Sequence, residues 1–297
     1  MKSVDVIIPV YNPDKRLYSL LKRLLKQTVV PSNIRIILTI TEKFGGLDLI
    51  HGLAEKGIRD ERIKVITIEK AAFNHGGTRQ MAAEESDSDF CLFMTQDAVP
   101  ADRFLVENML KEAEKTYIGV CYARQLPLKN ATVREKFARS FNYPDKSMIK
   151  DKRMLDAGNI KAIFCSDVCA MYDMELFRSL GGFERNVDFN EDMLYAHKVL
   201  KNGYKISYCA DAKVFHSHNL SFSDQFKRNR DIAVSQKEHP EVFSALSSEN
   251  EGLRYLRKGL KYTLSNGNIF EAAGFICDCG FRFLGFRVGK MHKVQGK

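Results

Sequence analysis

Short apolar runs alternate with amphipathic segments in the N-terminal part of the chain. Four continuous apolar runs predict strands covered on both faces. They are VDVIIPV (4–10), IRIILTI (34–40), IKVITI (63–68) and FCLFMT (90–95). Leucines three and four residues apart predict a helix after the first strand, and residues 78–85 predict another. This alternation is typical of a mostly parallel α/β sheet.

The remaining chain is less regular. Residues 124–162 mix basic and aromatic side chains without a clear period, which predicts a partly ordered functional loop or a small helical insert. A helix from Asp173 ends at the glycines of SLGGF. A second helix follows over EDMLYAHKVLKNG (191–203), and YKISYC (204–209) predicts a strand.

The formal net charge of +9 is concentrated at the C-terminus. From Gly252 to Lys297, nine Lys and Arg face two acids, whereas the preceding 251 residues carry 37 against 35. A nearly neutral body argues against a nucleic-acid-binding protein, and a basic tail predicts an anionic partner. We therefore expect a domain over residues 1–240 and a helical, basic extension over residues 241–297.

Polar segments follow the predicted strands. VYN ends the first strand, FNHGGTRQ (73–80) follows the third, and TQDA (95–98) follows the fourth. Because the carboxyl ends of parallel strands lie at one edge of a sheet, these segments predict one ligand-binding crevice. For Asp97 taken alone, an ordinary turn before Pro100 is the alternative.

Two further features allow a functional and a structural interpretation. The glycines after His75 suit a close approach to phosphate at a helix N-terminus, with Arg79 as a charged donor, or an ordinary turn. The pair Glu191 and Asp192 suits acid–base chemistry, or a helix start stabilised by the helix dipole.

These motifs occur together in a characteristic order. VIIPVYN, FNHGGTRQ, FMTQDA, LGGF and NEDMLYAHKVLKNGYKISYCADAKVFHSHN resemble the family 2 glycosyltransferases of the GT-A fold, most closely their bacterial rhamnosyltransferase-like branch. The resemblance covers about residues 1–240. It implies a Rossmann-like, mostly parallel sheet that binds a nucleotide-diphospho-sugar, followed here by the helical basic extension. It also implies inverting transfer of a sugar, with dTDP-L-rhamnose as the expected donor, in surface polysaccharide or capsule synthesis.

The resemblance also implies a divalent metal, Mg²⁺ or Mn²⁺, at Asp97. This residue matches the last position of a D-x-D motif, in which Thr95 replaces the first aspartate. The loss of one carboxylate is tolerable because phosphate oxygens and water supply other ligands. His216 or His218 would complete the metal site, and a plain surface position is the alternative for both.

Asp192 matches the family's general base, which deprotonates the attacking acceptor hydroxyl. Glu191 would orient this base or contact the acceptor. The nucleotide pocket departs from the family, because TITEKFGG stands where many relatives have D-x-S-x-D, and Glu42 is the nearest substitute. The contacts expected for the nucleotide sugar are Pro9, Tyr11, Asn12, Glu42, His75, Gly76, Arg79, Thr95, Gln96, Asp97 and Asp167. For Asp167 a buried structural role is the alternative.

The basic extension contains a candidate membrane-binding helix. The apolar residues that share one helical face are Phe270, Cys277, Phe281, Leu284 and Val288, and the cations that flank it are Arg282, Arg287 and Lys290. Such a helix suits an anionic membrane surface, and packing on the catalytic domain is the alternative. Apolar runs are too short to span a bilayer or act as a signal peptide, so we expect a cytoplasmic protein, peripheral at the inner face of the cell membrane.

The expected partners are a nucleotide sugar (dTDP- or UDP-linked) and a saccharide or lipid-linked saccharide acceptor, with no nucleic acid. A UDP-hexose donor is one alternative. An inactive nucleotide-sugar-binding protein is another, supported by the Thr95 replacement alone. The acceptor, the linkage and the oligomeric state leave no signal in the sequence.

Overall fold

The apolar run Val4–Val10 is an interior strand of a nine-stranded sheet in the computed structural model, which describes residues 2–292. The strands are Val4–Val10 (β1), Asn33–Thr39 (β2), Ile63–Ile68 (β3), Phe90–Met94 (β4), Val99–Pro100 (β5), Ile118–Leu126 (β6), Met148–Lys150 (β7), Cys169–Asp173 (β8) and Lys205–Phe215 (β9). Their order is β3-β2-β1-β4-β8-β6-β9-β5, and β7 pairs with β9. Strands β1 to β4 pair in parallel, whereas β5, β7 and β8 pair antiparallel with their neighbours. The four strands predicted from the apolar runs are confirmed.

Twelve α-helices connect or flank these strands in the described part of the chain. They are Lys15–Leu24 (α1), Gly46–Glu55 (α2), His75–Glu84 (α3), Leu105–Ala113 (α4), Val133–Asn142 (α5), Lys152–Asp156 (α6), Met174–Ser179 (α7), Glu191–Lys201 (α8), Phe222–Glu238 (α9), Pro240–Phe243 (α10), Glu249–Asn266 (α11) and Ile269–Met291 (α12). Asp14 caps helix α1 by accepting a hydrogen bond from Arg16 N, and the helix buries Leu17, Leu20, Leu21 and Leu24. Helices α3, α7 and α8 also lie where the sequence predicts them.

A buried aspartate interrupts the apolar run of β1. Asp5 is fully buried, and it accepts hydrogen bonds from Asn33 (2.9 Å), Arg35 (3.2 Å) and Ser86 (2.9 Å). Asn33 lies directly opposite Asp5 on β2. Because these partners replace the lost hydration of the carboxylate, Asp5 is tolerated inside the sheet.

The strand order reverses between β1 and β4. From β1 the chain builds β2 and β3 on one side and then returns to add β4 on the other side. In open α/β sheets, ligands bind outside the carboxyl ends of the strands at such a switch point. Tyr11 follows β1 and Asp97 follows β4, so the predicted crevice residues flank this point.

Contacts divide the chain into two compact units. The α/β unit contains the residues up to Arg124 together with Asp145–Lys152 and Ile163–His216. The helical unit contains Gln125–Pro144, Arg153–Ala162 and the residues from Ser217 onward.

The division by contacts differs from the domain boundary predicted at residue 240, because helices α5 and α9 come before that residue and belong to the helical unit. The assignment of catalysis to residues 1–240 stays a prediction. Residues 124–162 contain α5, β7 and α6. Of the two alternatives predicted for this segment, the structure therefore favours a small helical insert over a partly ordered loop.

Helix α12 packs closely along α9 within the helical unit. A side chain at Gly285 would place Cβ 2.2 Å from the carbonyl oxygen of Phe226, and at Gly289 2.3 Å from that of Arg230. Glycine is therefore required at both positions for the two backbones to approach. Buried Phe275 on the same side of α12 packs edge-on against Phe137 of α5, with ring centroids 5.5 Å apart.

The opposite face of α12 is apolar and exposed. Its exposed apolar side chains are Ile269, Phe270, Ile276, Phe281, Phe283, Leu284, Val288 and Met291. The prediction is wrong for one flanking cation, Arg282. It pairs with buried Asp278 at 2.6 Å on the inner side of the helix. None of the helices among residues 2–292 combines the length and the apolar character that crossing a membrane requires.

Candidate active site

A pair of hydrogen bonds joins the carboxyl ends of β1 and β4. Tyr11 N donates to Gln96 Oε1 at 2.9 Å, and Gln96 Nε2 donates to Tyr11 O at 3.0 Å. Asn12 has a left-handed backbone (φ 46°), which asparagine tolerates better than most residues. It turns the chain away from the sheet after β1, the strand that contains Pro9. The backbone and the amide side chain thus form a fixed wall at the switch point.

Asp97 lies beside this wall and is 8% exposed. Its Oδ1 is 3.6 Å from His216 Nε2, and its Oδ2 is 3.3 Å from an Arg16 guanidinium nitrogen. His216 is the residue directly after β9, so the end of β9 carries the imidazole to the aspartate. A carboxylate facing an imidazole nitrogen is a donor set that suits Mg²⁺ or, better, Mn²⁺.

Three other predicted residues differ from Asp97 and His216 in their surroundings. Thr95 Oγ1 is buried and has no hydrogen-bond partner among the described residues. Glu42 is exposed in the turn that follows β2, at the same edge of the sheet. His218 belongs to the helical unit, where its backbone N–H donates to Glu135 Oε1 at 3.2 Å. The nucleotide contacts and the metal role of His218 stay predictions.

A second cluster surrounds a buried arginine. Arg79 of α3 is 3% exposed, and its guanidinium lies 3.4 Å from Asp167 Oδ2 and 3.0 Å from Glu191 Oε1. The backbone N–H of Asp167 donates to Asp192 Oδ2 at 3.3 Å, and the Tyr172 hydroxyl donates to Asp167 Oδ1 at 2.5 Å. Three carboxylates from two segments are thus gathered around one cation.

Burial raises the pKa values of all three carboxyl groups. The pKa of Asp167 is raised to about 7, chiefly by lost hydration and against the opposing effect of Arg79. The pKa of Glu191 is raised for the same reason. The pKa of Asp192 is raised well above its usual range by lost hydration and then by the charges of Glu191 and Asp167. Asp192 is also the one carboxylate of the three that is partly exposed.

The start of α3, where the sequence predicts a phosphate site, has hydrogen-bond partners within the protein. Gly76 N donates to Val187 O at 2.9 Å, and Gly77 N donates to the side chain of Asn74 at 2.6 Å, so both N–H groups already have protein partners. The Nδ1 of His75 lies 3.1 Å from an Arg79 guanidinium nitrogen.

An enclosed Arg79 cannot reach a diphosphate without leaving Asp167 and Glu191. The phosphate contacts predicted for His75, Gly76 and Arg79 stay predictions. In this structure Arg79 holds the carboxylates of Asp167 and Glu191.

The glycines of this motif also position the acidic pair. A Cβ at Gly76 would lie 2.0 Å from the carbonyl oxygen of Glu184, so no other residue allows this approach of α3 to the segment before α8. That segment ends at Asn190, whose left-handed backbone (φ 66°) turns the chain into the first turn of α8. Glu191 and Asp192 occupy that turn.

Sequence reasoning missed two residues of these clusters. Arg16 looks like an ordinary surface cation of an amphipathic helix, and only the N-cap at Asp14 hinted that its position is fixed. Tyr172 lies in the apolar strand β8, so the sequence predicts an ordinary core residue and gives no sign that its hydroxyl donates to Asp167.

The fold and these clusters define the class of protein. Residues 5–181 match glycosyl transferase family 2, and the chain belongs to this family of glycosyltransferase enzymes. It is 32% identical over 289 residues to the O-antigen chain rhamnosyltransferase RfbN of Salmonella typhimurium, with 97% of this chain and 89% of RfbN covered. It is 32% identical over 293 residues to the O-antigen chain rhamnosyltransferase WbaN of Salmonella anatum, with 98% and 90% covered. The predicted family is confirmed.

Solved structures show the same fold. The mannosyltransferase PcManGT of Pyrobaculum calidifontis, in complex with GDP-Man and Mn²⁺, matches 98% of this chain and 85% of its own with a TM-score of 0.63 and 14% identity. TarS 1–349 of S. aureus in complex with UDP-GlcNAc matches 97% of this chain and 90% of its own, with a TM-score of 0.55 and 15% identity. The predicted GT-A fold is confirmed.

Proposed function

We propose that this protein is an inverting rhamnosyltransferase that moves L-rhamnose from dTDP-L-rhamnose to a saccharide or lipid-linked saccharide acceptor in the synthesis of a bacterial surface polysaccharide. The observation that carries the proposal is the near full-length similarity to RfbN and WbaN. The carboxylate cluster and the Asp97–His216 pair support it, because they offer the groups that such a transfer needs.

We assign the general base to Asp192. In an inverting transfer, the acceptor oxygen attacks the anomeric carbon, the bond from that carbon to the diphosphate breaks, and the leaving diphosphate keeps the electron pair. The acceptor proton must go to a base. Asp192 is the partly exposed carboxylate of its cluster, and its raised pKa makes it a stronger base than an ordinary aspartate.

Asp97 and His216 would hold the divalent ion, with His218 as a third candidate two residues further along the chain. When bound, this ion would neutralise the diphosphate and make it a better leaving group. Arg16 lies against Asp97 and keeps a second cation available to the same phosphates. Tyr11 and Gln96 would form one wall of the nucleotide pocket.

A panel of nucleotide sugars tests the donor assignment. With Mg²⁺ or Mn²⁺ present, we expect dTDP-L-rhamnose to be hydrolysed or transferred at least about tenfold faster than UDP-glucose, UDP-galactose or GDP-mannose, because polar contacts to the correct sugar and base are lost with the others. Faster turnover of a UDP-hexose would contradict the rhamnose assignment. Donor binding without turnover of any donor would indicate an inactive binding protein.

We further propose that the outer face of α12 rests on an anionic membrane. Phe270 is 83% exposed, Phe283 63% and Leu284 55%, and exposed Arg287 lies on the same helix. A helix with an apolar outer face and adjacent cations suits the interface between anionic head groups and acyl chains. The basic excess after Gly252 supports this occupant over a second protein chain.

Surface substitutions test this membrane contact better than truncation, because removal of α12 would uncover α9. We expect Phe270→Ser, Phe283→Ser and Leu284→Ser combined to weaken co-sedimentation with phosphatidylglycerol vesicles at least about tenfold, since each buried apolar side chain contributes about 1.5–3 kcal/mol. Leu47→Ser with Ile50→Ser removes comparably exposed apolar residues from α2 and serves as control. Vesicle binding that the triple variant retains in full would refute the membrane role.

A further inference from the structure

A groove in the helical unit shares no lining residue with the clusters that bear the proposed chemistry. It runs between α5 and α11 and has a volume of about 460 Å³, which is within the usual range of small-molecule sites. Its aromatic floor is Phe137, Phe141 and Tyr262, and its basic rim is Arg254, Lys258 and Lys261. No acidic residue lines it in the described part of the chain.

The aromatic side chains of the groove floor pack against one another and against cations. The Phe137 ring lies 5.5 Å from the Tyr262 ring and 5.7 Å from the Phe141 ring. Arg254 and Lys161 lie over the Phe141 ring at 5.7 Å and 5.2 Å, which fixes its orientation by cation–π attraction. The apolar surface is therefore already formed, and a ligand would not have to order it.

The rim carries more positive charge than the protein neutralises. Arg254 pairs with Glu251 at 3.2 Å, but Lys258 and Lys261 form no ion pair with any residue among those described. They lie on one face of α11 with Arg254, at the spacing i, i+4 and i+7, and both are exposed. Their charges remain available to an anion.

The polar side chains of the groove do not suit a sugar or a nucleobase. Ser140 donates to Phe137 O at 2.9 Å, Ser265 to Lys261 O at 2.8 Å, and Asn266 to Tyr262 O at 3.0 Å. These donors are used within their own helices, so the groove offers apolar surface and positive charge but few directional groups.

We propose that the groove between α5 and α11 binds a phosphorylated lipid, whose phosphate lies on Lys258 and Lys261 and whose apolar chain lies on the aromatic floor. The proposal deepens the proposed function and rests on it in one respect, since such a lipid would be the carrier portion of a lipid-linked acceptor. The binding itself requires only the groove.

Titration calorimetry of the full chain with farnesyl phosphate, below its critical micelle concentration, tests the proposal. We expect Lys258→Gln with Lys261→Gln to weaken binding at least about tenfold, because each removes a charge-assisted contact. Arg257→Gln with Lys227→Gln removes the same charge at exposed positions outside the groove and should change the affinity less than about twofold. Farnesol and inorganic phosphate should each bind far more weakly than the complete molecule.

Four results would overturn the proposal. They are no binding of farnesyl phosphate by the wild-type protein, equal binding by the groove variant, an equal loss in the control variant, and inorganic phosphate binding as tightly as farnesyl phosphate. Because calorimetry needs no donor sugar, a failed rhamnosyl-transfer assay would leave a positive binding result intact.

Discussion

Replacement of Asp192 by Asn is expected to lower the turnover of sugar transfer by roughly 10²–10⁴-fold, the usual effect of removing a positioned general base. Binding of the nucleotide donor should be nearly unchanged, because the carboxylate faces Asp167 and the start of α8. Initial rates of transfer and calorimetric titration of the nucleoside diphosphate with Mn²⁺ measure the two effects separately.

The pH dependence gives a second readout of the base. Asp192 acts only when deprotonated, and its pKa is raised, so the wild-type rate should increase as the pH rises through that pKa. The Asp192→Asn variant should lose this increase. Asp211→Asn changes an exposed carboxylate of the same unit and should leave rate and pH profile unaltered. Turnover of Asp192→Asn within a few-fold of wild type would leave the residue as a structural acid at a helix start.

Replacement of Asp97 by Asn is expected to abolish the metal dependence of donor binding. In the wild-type protein, Mg²⁺ or Mn²⁺ should strengthen the binding of dTDP. In the variant this increase in affinity should be at least about tenfold smaller, because removal of a metal ligand weakens metal binding at least as much as removal of a residue that supports the ligand. The fold should survive, because Arg16 keeps its ion pair with Asp14 at 2.8 Å. Calorimetry of dTDP with Mn²⁺ and with a chelator measures the difference.

Asp87→Asn is the matched control for this experiment, since Asp87 is exposed and lies on the loop before β4. It should retain the full effect of the metal. Equal stimulation of dTDP binding by Mn²⁺ in Asp97→Asn and wild type would mean that Asp97 does not hold the ion.

Elements with a local cause could be predicted from the sequence. Strand β1 follows from the continuous apolar run at Val4–Val10, and helix α1 follows from the leucine spacing in Lys15–Leu24. Both patterns are visible within a short stretch of sequence, so they predict the strand and the helix. The prediction that Asp97 follows a strand at the sheet edge also holds, because β4 ends at Met94 and the residue stands at the switch point.

The partners of polar residues could not be predicted in this way. Beside a glycine pair, Arg79 suits a phosphate and a buried carboxylate equally well, and the carboxylates that it contacts, Asp167 and Glu191, lie in distant segments of the chain. For α12 the two alternatives do not exclude each other, because Gly285 and Gly289 allow one face to pack on α9 while Phe270 stays exposed on the other.

The close contact of Gly76 with the segment before α8 would link acceptor choice to reaction rate. Insertions or bulkier residues between Phe183 and Asn190 would be the natural route to a new acceptor, if that segment borders the acceptor hydroxyl held by Asp192. With the Glu184 carbonyl seated on Gly76, such changes would displace the base as well. Variants selected for a new acceptor should therefore have low turnover at first, and they should regain turnover through second changes in α3.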